Sequence, residues 1–251
     1  MKVVILCGGK GLRMRGLTED VPKALAKLNG KPIIWHIMKL FSQYNHTHFI
    51  LPLGYKGDQI KEYFMDYPWR DHNFELNLGD NKYRLLNETD SWKVTCVDTG
   101  LDTMTGARIK FVENYLDEDT FLLTYGDGLA DINLEELVKF HKEKGKAVTL
   151  TGVKKNSQYG VLAIENGIAV DFTEKPVLDI TINGGFFVCN RKFFDYLTSD
   201  PNCVLEDEPL KKLIIDRELA VYEHNGLWLS IDTPKDLEEA NKIWALNQRG
   251  Q

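Results

Sequence analysis

Residues 3–6 read Val-Val-Ile-Leu and run straight into Cys-Gly-Gly-Lys-Gly. No polar residue alternates with the aliphatic ones, so the strand they predict must be covered on both faces, which is the condition of a parallel sheet wrapped by helices. Apolar strands return at 48–53 (HFILPL) and 120–125 (TFLLTY), with further strands near 73–78, 94–98 and 147–153. Between them lie helical patterns at 31–44, where Ile33, Ile34, Ile37, Met38, Leu40 and Phe41 mark one apolar face, and at 57–66, 105–115 and 133–144. This alternation predicts an α/β fold, a Rossmann-like three-layer sandwich with a mostly parallel, mixed sheet. Beyond about residue 153 the rhythm changes. Asn-Gly stands between two apolar runs in YGVLAIENGIAVDFTEKP, a hairpin signal. Another strand follows at INGGFFVCN, then helices near 190–198, 206–216 and 234–247.

Composition excludes several classes. A net charge of −6 over 251 residues argues against a nucleic-acid surface. No apolar run approaches the roughly 20 residues that span a bilayer, so no membrane partner is expected. The N-terminus enters a strand without a signal-peptide pattern, which predicts the cytoplasm. The four cysteines, Cys7, Cys96, Cys189 and Cys203, form no CxxC pair, and the six histidines show no HExxH spacing. Structural zinc and a disulfide framework are therefore not expected.

A buried strand that ends in glycines offers backbone N–H groups to phosphates. Gly8, Gly9 and Gly11 do so here, and Arg13, Arg15 and Lys23 bring positive charge close behind, with Arg15 reading as solvated surface. The spacing fits neither GxGxxG nor the Walker A loop. At TFLLTYGDG a second buried strand ends beside Asp127, flanked by Gly126 and Gly128. Ligands of open parallel sheets collect at the carboxyl ends of the strands, so Asp127 would stand beside the glycine turn. A carboxylate next to phosphates repels them unless a divalent cation intervenes, which predicts magnesium. Asp232 is the candidate second ligand; the plain alternative is that Asp232 or Thr233 caps the helix beginning at Pro234. For Asp127 the alternative is a turn aspartate between glycines.

Taken together, GGKGLRM…PKAL, TYGDG, EKP, NGGFF and IDTP resemble, in order, the motifs of the sugar-1-phosphate nucleotidylyltransferases. GKPIIWHIMK, GYKGDQIKEYF, VDTGLDTMTGARIK and INGGFFV resemble the branch that uses CTP and glucose 1-phosphate, over nearly the full length. The resemblance implies a single GT-A-like domain over 1–251, with a nucleotide-binding part at about 1–153 and a small C-terminal sugar-binding extension at about 154–251. It implies cytidylyl transfer from CTP to α-D-glucose 1-phosphate, giving CDP-glucose and pyrophosphate. By the same match, the nucleotide lies along Leu6, Cys7, Gly8, Gly9, Lys10, Gly11, Leu12 and Arg13, with Lys23 on phosphate and Thr103, Thr105, Gly106, Arg108 and Gly126 lining the pocket. Asp127 and Asp232 would hold magnesium. Tyr159, Gly160, Glu174, Lys175, Asn183 and Gly184 would form the sugar site, and Arg13, Lys23, Asp127 and Lys175 would be catalytic. For Thr105 a helix cap is the alternative. Relatives are oligomers, which implies a homo-oligomer.

Two departures stand out: Cys7 replaces the family's usual small residue, and Leu12 replaces a common threonine. The competing readings are the same reaction with UTP, dTTP or another sugar or alditol phosphate, and an idle nucleotide-binding regulatory subunit. The joint presence of Arg13, Lys23, Asp127, Lys175 and Asp232 argues against the idle subunit.

Overall fold

Val3, Val4 and Ile5 are all completely buried, yet they feed different cores. Val3 and Ile5 pack into one apolar cluster and Val4 into another on the opposite side of the sheet. That is the packing an unbroken aliphatic strand demands, because successive side chains point to opposite faces. It is seen in a computed structural model of the chain, which describes residues 1–10, 21–156, 160–174 and 176–248.

The first half runs β1 (Val3–Leu6), β2 (Lys27–Leu28), β3 (Lys31–Pro32), α1 (Ile33–Gln43), β4 (His48–Leu53), α2 (Gly57–Arg70), β5 (Phe74–Asn77), β6 (Lys82–Leu85), β7 (Lys93–Asp98) and α3 (Thr105–Phe111). It continues with β8 (Thr120–Tyr125), β9 (Gly128–Ala130), α4 (Leu134–Lys144) and β10 (Val148–Asn156). The rest comprises β11 (Val161–Glu165), β12 (Ile168–Thr173), β13 (Val177–Asn190), α5 (Glu208–Ile215), β14 (Leu219–His224), β15 (Trp228–Ser230) and α6 (Pro234–Gln248).

Seven strands form the main sheet in the order β14-β10-β13-β8-β1-β4-β7. Strands β8, β1, β4 and β7 are parallel neighbours, and β10 is parallel to β14. Only β13 runs against its neighbours β8 and β10. The expected mostly parallel, mixed sheet between helical layers is therefore the observed one. Residues of α1, α4 and α6 pack in one cluster, and those of α3 and α5 in the other. Helix α4 shows why its ends fall where they do. Asn133 Oδ1 accepts hydrogen bonds from the N–H groups of Glu135 and Glu136, and Gly145, at φ +59°, closes the other end in a left-handed conformation.

Several boundaries differ from those read in the sequence. The segment at 190–198 is a 3₁₀ stretch, Arg191–Tyr196, and the helix at 105–115 ends at Phe111 before a separate 3₁₀ turn, Glu113–Tyr115. Helix α2 runs on to Arg70, through Pro68. The polar stretch after 78 supplies β6, which pairs with β5 in a hairpin. Edge strand β14 and the short strands β9 and β15 were not expected. The Asn166–Gly167 turn of the β11–β12 hairpin has φ of +50° and +83°, as Asn-Gly predicts.

Candidate active site

Strands β9 and β15 form a two-stranded ribbon in which Gly128 pairs with Ser230. One residue further, the Ile231 N–H donates to the Asp127 carbonyl. This ribbon brings two residues remote in sequence to adjacent positions. The Lys23 ammonium then donates to both carboxylates, at 2.6 Å to Asp127 Oδ2 and 2.8 Å to Asp232 Oδ1. Ser230 Oγ donates to Asp232 Oδ2 at 2.9 Å. Capping of α6 falls to other groups: Asp236 N–H donates to Thr233 Oγ1, and Asp236 Oδ2 accepts from the N–H groups of Asp232 and Thr233. That reciprocal pair is a capping box, and it leaves the Asp232 side chain facing Lys23.

Two carboxylates gathered on one cationic nitrogen make a donor set already arranged around a cation. Among the described residues no cluster of three or more Asp, Glu, His or Cys could hold a metal. Magnesium takes one or two carboxylates and completes its octahedron with water and phosphate oxygens, so these residues fit it.

The glycine turn is held from below. Arg108, buried on α3, donates to the carbonyls of Leu53, Gly100 and Gly8 at 2.9, 2.9 and 3.1 Å, and to Thr99 Oγ1 at 2.6 Å. Burial pulls its pKa down, against the influence of Asp98 and Asp102. A Cβ on Gly8 would lie 2.3 Å from the guanidinium carbon and would displace Arg108, and one on Gly54 would lie 2.5 Å from its nitrogens and 2.7 Å from the Gly8 carbonyl, so position 54 needs glycine. Gly126 is equally constrained, because a Cβ there would lie 2.8 Å from the Leu6 carbonyl. Gly9 and Lys10 are exposed on the open side, and the Lys10 ammonium reaches Asp102 at 2.7 Å. Cys7 is buried beneath the turn, where desolvation pushes its thiol far above the ordinary range.

Thr103 Oγ1 donates to the Thr99 carbonyl. The N-cap of α3 is Met104, with no side-chain cap. Thr105 does not cap its helix: its hydroxyl donates to Glu206 Oε2 at 2.8 Å and accepts from the Leu205 N–H at 2.9 Å. Gly106 packs so tightly on Cys203 that a Cβ would lie 2.7 Å from Sγ.

On the other side, Asn183 Nδ2 donates to the Tyr125 hydroxyl at 3.1 Å, and Trp228 Nε1 donates to the Gly184 carbonyl at 2.7 Å. Gly160 lies beside Glu174, whose Oε2 would be 3.0 Å from a Cβ at that position. Gly11, Leu12, Arg13, Arg15, Tyr159 and Lys175 lie outside the described residues. Tyr125, Glu206, Ser230 and Trp228 were not singled out in the sequence. Tyr125 directly precedes the Gly-Asp-Gly turn, and that adjacency was the one available signal; Glu206 stands in VLEDEP with no local cue.

The model of a family described as nucleotidyl transferase matches residues 2–245. The chain is 53% identical over 249 residues to a Bacillus subtilis (strain 168) protein named "Probable glucose-1-phosphate cytidylyltransferase", covering 99% of this chain and 98% of that one. It is 41% identical over 247 residues to the glucose-1-phosphate cytidylyltransferase of Salmonella typhi, covering 97% and 96%. Among solved structures, the inositol-1-phosphate CTP transferase from T. maritima superposes with a TM-score of 0.66 at 19% identity, over 96% of this chain and 95% of that one, a likeness of fold.

Proposed function

The chain belongs to the nucleotidyl transferase family, and on that premise we propose that it transfers the cytidylyl group of CTP to α-D-glucose 1-phosphate, forming CDP-glucose and releasing pyrophosphate. The relatives bearing that name at 53% and 41% identity support the choice of nucleotide and sugar. One observation carries the reaction type: Asp127 and Asp232 meet on one cationic nitrogen beside the end of β8, in the same sheet region as the glycine turn.

The attacking oxygen belongs to a sugar phosphate and is anionic at neutral pH, so no general base is required. The obstacle is the approach of one anion to another, and catalysis rests on positioning and charge neutralisation. Asp127 and Asp232 hold magnesium, which when bound offsets the negative charge of the triphosphate. Lys23, the cation beside both acids, takes a phosphate oxygen, and Arg13 and Lys175 supply further positive charge. The nucleotide lies along Leu6 to Arg13, against Thr103, Thr105, Gly106 and Gly126. Arg108 serves that stretch from beneath by fixing the Gly8 carbonyl. Tyr159, Gly160, Glu174, Lys175, Asn183 and Gly184 receive the sugar phosphate. One domain thus divides its work, with residues to about 153 serving the nucleotide and the rest the sugar. The enzyme works in the cytoplasm as a homo-oligomer. Its cysteines are all free, and no helix among the described residues is long and apolar enough to cross a membrane.

Pyrophosphate release, measured with glucose 1-phosphate and each of CTP, UTP, dTTP, ATP and GTP in magnesium, tests the reading. CTP should be turned over fastest, and Asp127→Ala and Asp232→Ala should each lose roughly 100-fold or more in turnover while remaining folded. Faster turnover with UTP or dTTP would overturn the nucleotide assignment. CTP binding without turnover of any pair would instead establish the idle subunit.

A further inference from the structure

A chain of side-chain hydrogen bonds crosses from the nucleotide-facing helix to the sugar-facing strand. The Tyr125 hydroxyl donates to Glu206 Oε1 at 2.5 Å and accepts from Asn183 Nδ2 at 3.1 Å. The second Glu206 oxygen accepts from Thr105 Oγ1 at 2.8 Å. Asn183 Oδ1 in turn accepts from the Gly185 N–H at 2.8 Å. Four residues at 105, 125, 183 and 206 are thereby locked in series.

The donors leave little choice of side chain at 206. Tyrosine and threonine hydroxyls each have one proton. Asn183 donates into the Tyr125 oxygen and Leu205 N–H into that of Thr105, so each hydroxyl has its proton to give. Position 206 accepts on both of its terminal atoms, one donor to each, which a carboxylate does and an amide, with its one oxygen, does not. The Tyr125 ring cannot swing away: it stands edge-on to Phe187, with centroids 5.8 Å apart at 80°, and a Cβ on Gly185 would come within 2.7 Å of it. Gly185 adopts φ +82°, a conformation that favours glycine. Glu206 itself is exposed, whereas Thr105, Tyr125 and Asn183 are half-buried.

We propose that Glu206 is a positioning residue: it braces Thr105, at the first turn of α3, against Tyr125 and Asn183, and so fixes the distance between the nucleotide and sugar-phosphate sites. The inference rests on the cytidylyl-transfer reading. In such a reaction the attacking oxygen must meet the α-phosphorus in line, and small misplacements of one bound substrate against the other cost turnover more than they cost binding. Tyr125 is also two residues from Asp127, so the same brace steadies the turn that carries a metal-binding carboxylate.

Steady-state kinetics on the full chain, with CTP and glucose 1-phosphate varied independently, test it. Glu206→Ala and Tyr125→Phe should each lower kcat roughly 10-fold while KM for either substrate changes less than about 3-fold. The double variant should be no worse than about the poorer single one, because both substitutions cut one chain. Glu206→Gln, with one acceptor oxygen in place of two, should fall between wild type and Glu206→Ala. Wild-type kcat in the single variants, a loss confined to KM, or losses that multiply in the double variant would overturn the proposal. Should Glu206→Ala unfold below assay temperature, Tyr125→Phe, which keeps the ring, decides by the same kcat criterion. A wild-type chain inactive with CTP and glucose 1-phosphate would sink the functional reading; an active wild type with unaffected variants sinks this inference alone.

Discussion

Lys23 occupies the place where a dication is expected, and that makes its removal informative without any assay of turnover. Its side chain is 14% exposed, while the Asp127 and Asp232 side chains are 35% and 29% exposed, so the three charges are partly shielded from water. With the ammonium deleted, the Asp127 and Asp232 carboxylates lose the cation that bridges them. Lys23→Ala should therefore lower the melting temperature of the metal-free protein by roughly 2–4 °C, and magnesium alone should raise it by more than in wild type. The measurement is thermal unfolding with and without magnesium; equal metal-induced shifts would show that the ammonium and the ion do not share a place. Arg108 carries a different lesson at the same scale. The motif TGARIK suggested a side chain lining the nucleotide pocket, whereas its guanidinium donates to four backbone carbonyls and a threonine hydroxyl beneath the glycine turn. A sequence shows where a cation lies along the chain, but not whether it faces the ligand or the underside of the loop.

Elements whose residues carry their own reason to form were legible: β1, β4 and β8 fall on the aliphatic runs 3–6, 48–53 and 120–125, to the residue. Elements formed by tertiary pairing were not. Strands β9 and β15 have three residues each and exist through each other, and β14 is a half-exposed edge strand with no sharp alternation. Phe193, Phe194 and Leu197 supplied an apolar face at helical spacing over 190–198, yet the chain there makes a 3₁₀ stretch that buries all three. The ribbon matters most, because it is what places Asp232 beside Asp127, and a reading of the chain could name both acids without that pairing. The start of α6 was legible as a cap but ambiguous as to which residue did the work. The structure assigns it to Thr233 with Asp236, and a direct test follows. Thr233→Ala should cost about 1 kcal/mol of stability, read as a lower urea midpoint at unchanged slope. An unchanged midpoint would mean that Asp236 alone secures the first turn.

Across the whole molecule, the histidines set how the fold answers to acid. His36, on α1, is buried against the Leu28 carbonyl, and Trp244 of α6 donates to its Nδ1 at 3.2 Å. His141, on α4, is buried between Thr149 of β10 and Asn190 of β13. Burial lowers the pKa of both. His46 is lowered to about 4 by burial and then by the N-terminal amine, whose nitrogen lies 3.4 Å from its Nδ1. In the unfolded chain such groups take up protons near pH 6.5. The unfolded state therefore binds more protons than the native one as pH falls below that value, so the histidine contribution to stability is complete above about pH 6.5 and drains away toward pH 4. Carboxylates act in a lower window. Asp90, where hydrogen bonds from Lys39 and Tyr67 outweigh a raising effect of burial, and Glu218, bonded to Lys192, are both lowered and lose their contribution only below the usual carboxylate range. Urea unfolding followed from pH 7 to pH 4.5 should accordingly show a midpoint that holds to about pH 6.5 and falls from there. His46→Gln, which cannot take up a proton in either state, should flatten that fall between pH 6.5 and 4.5. A wild-type midpoint constant over the interval, or an identical slope in His46→Gln, would mean that these rings gain protons in the native state as readily as in the unfolded one.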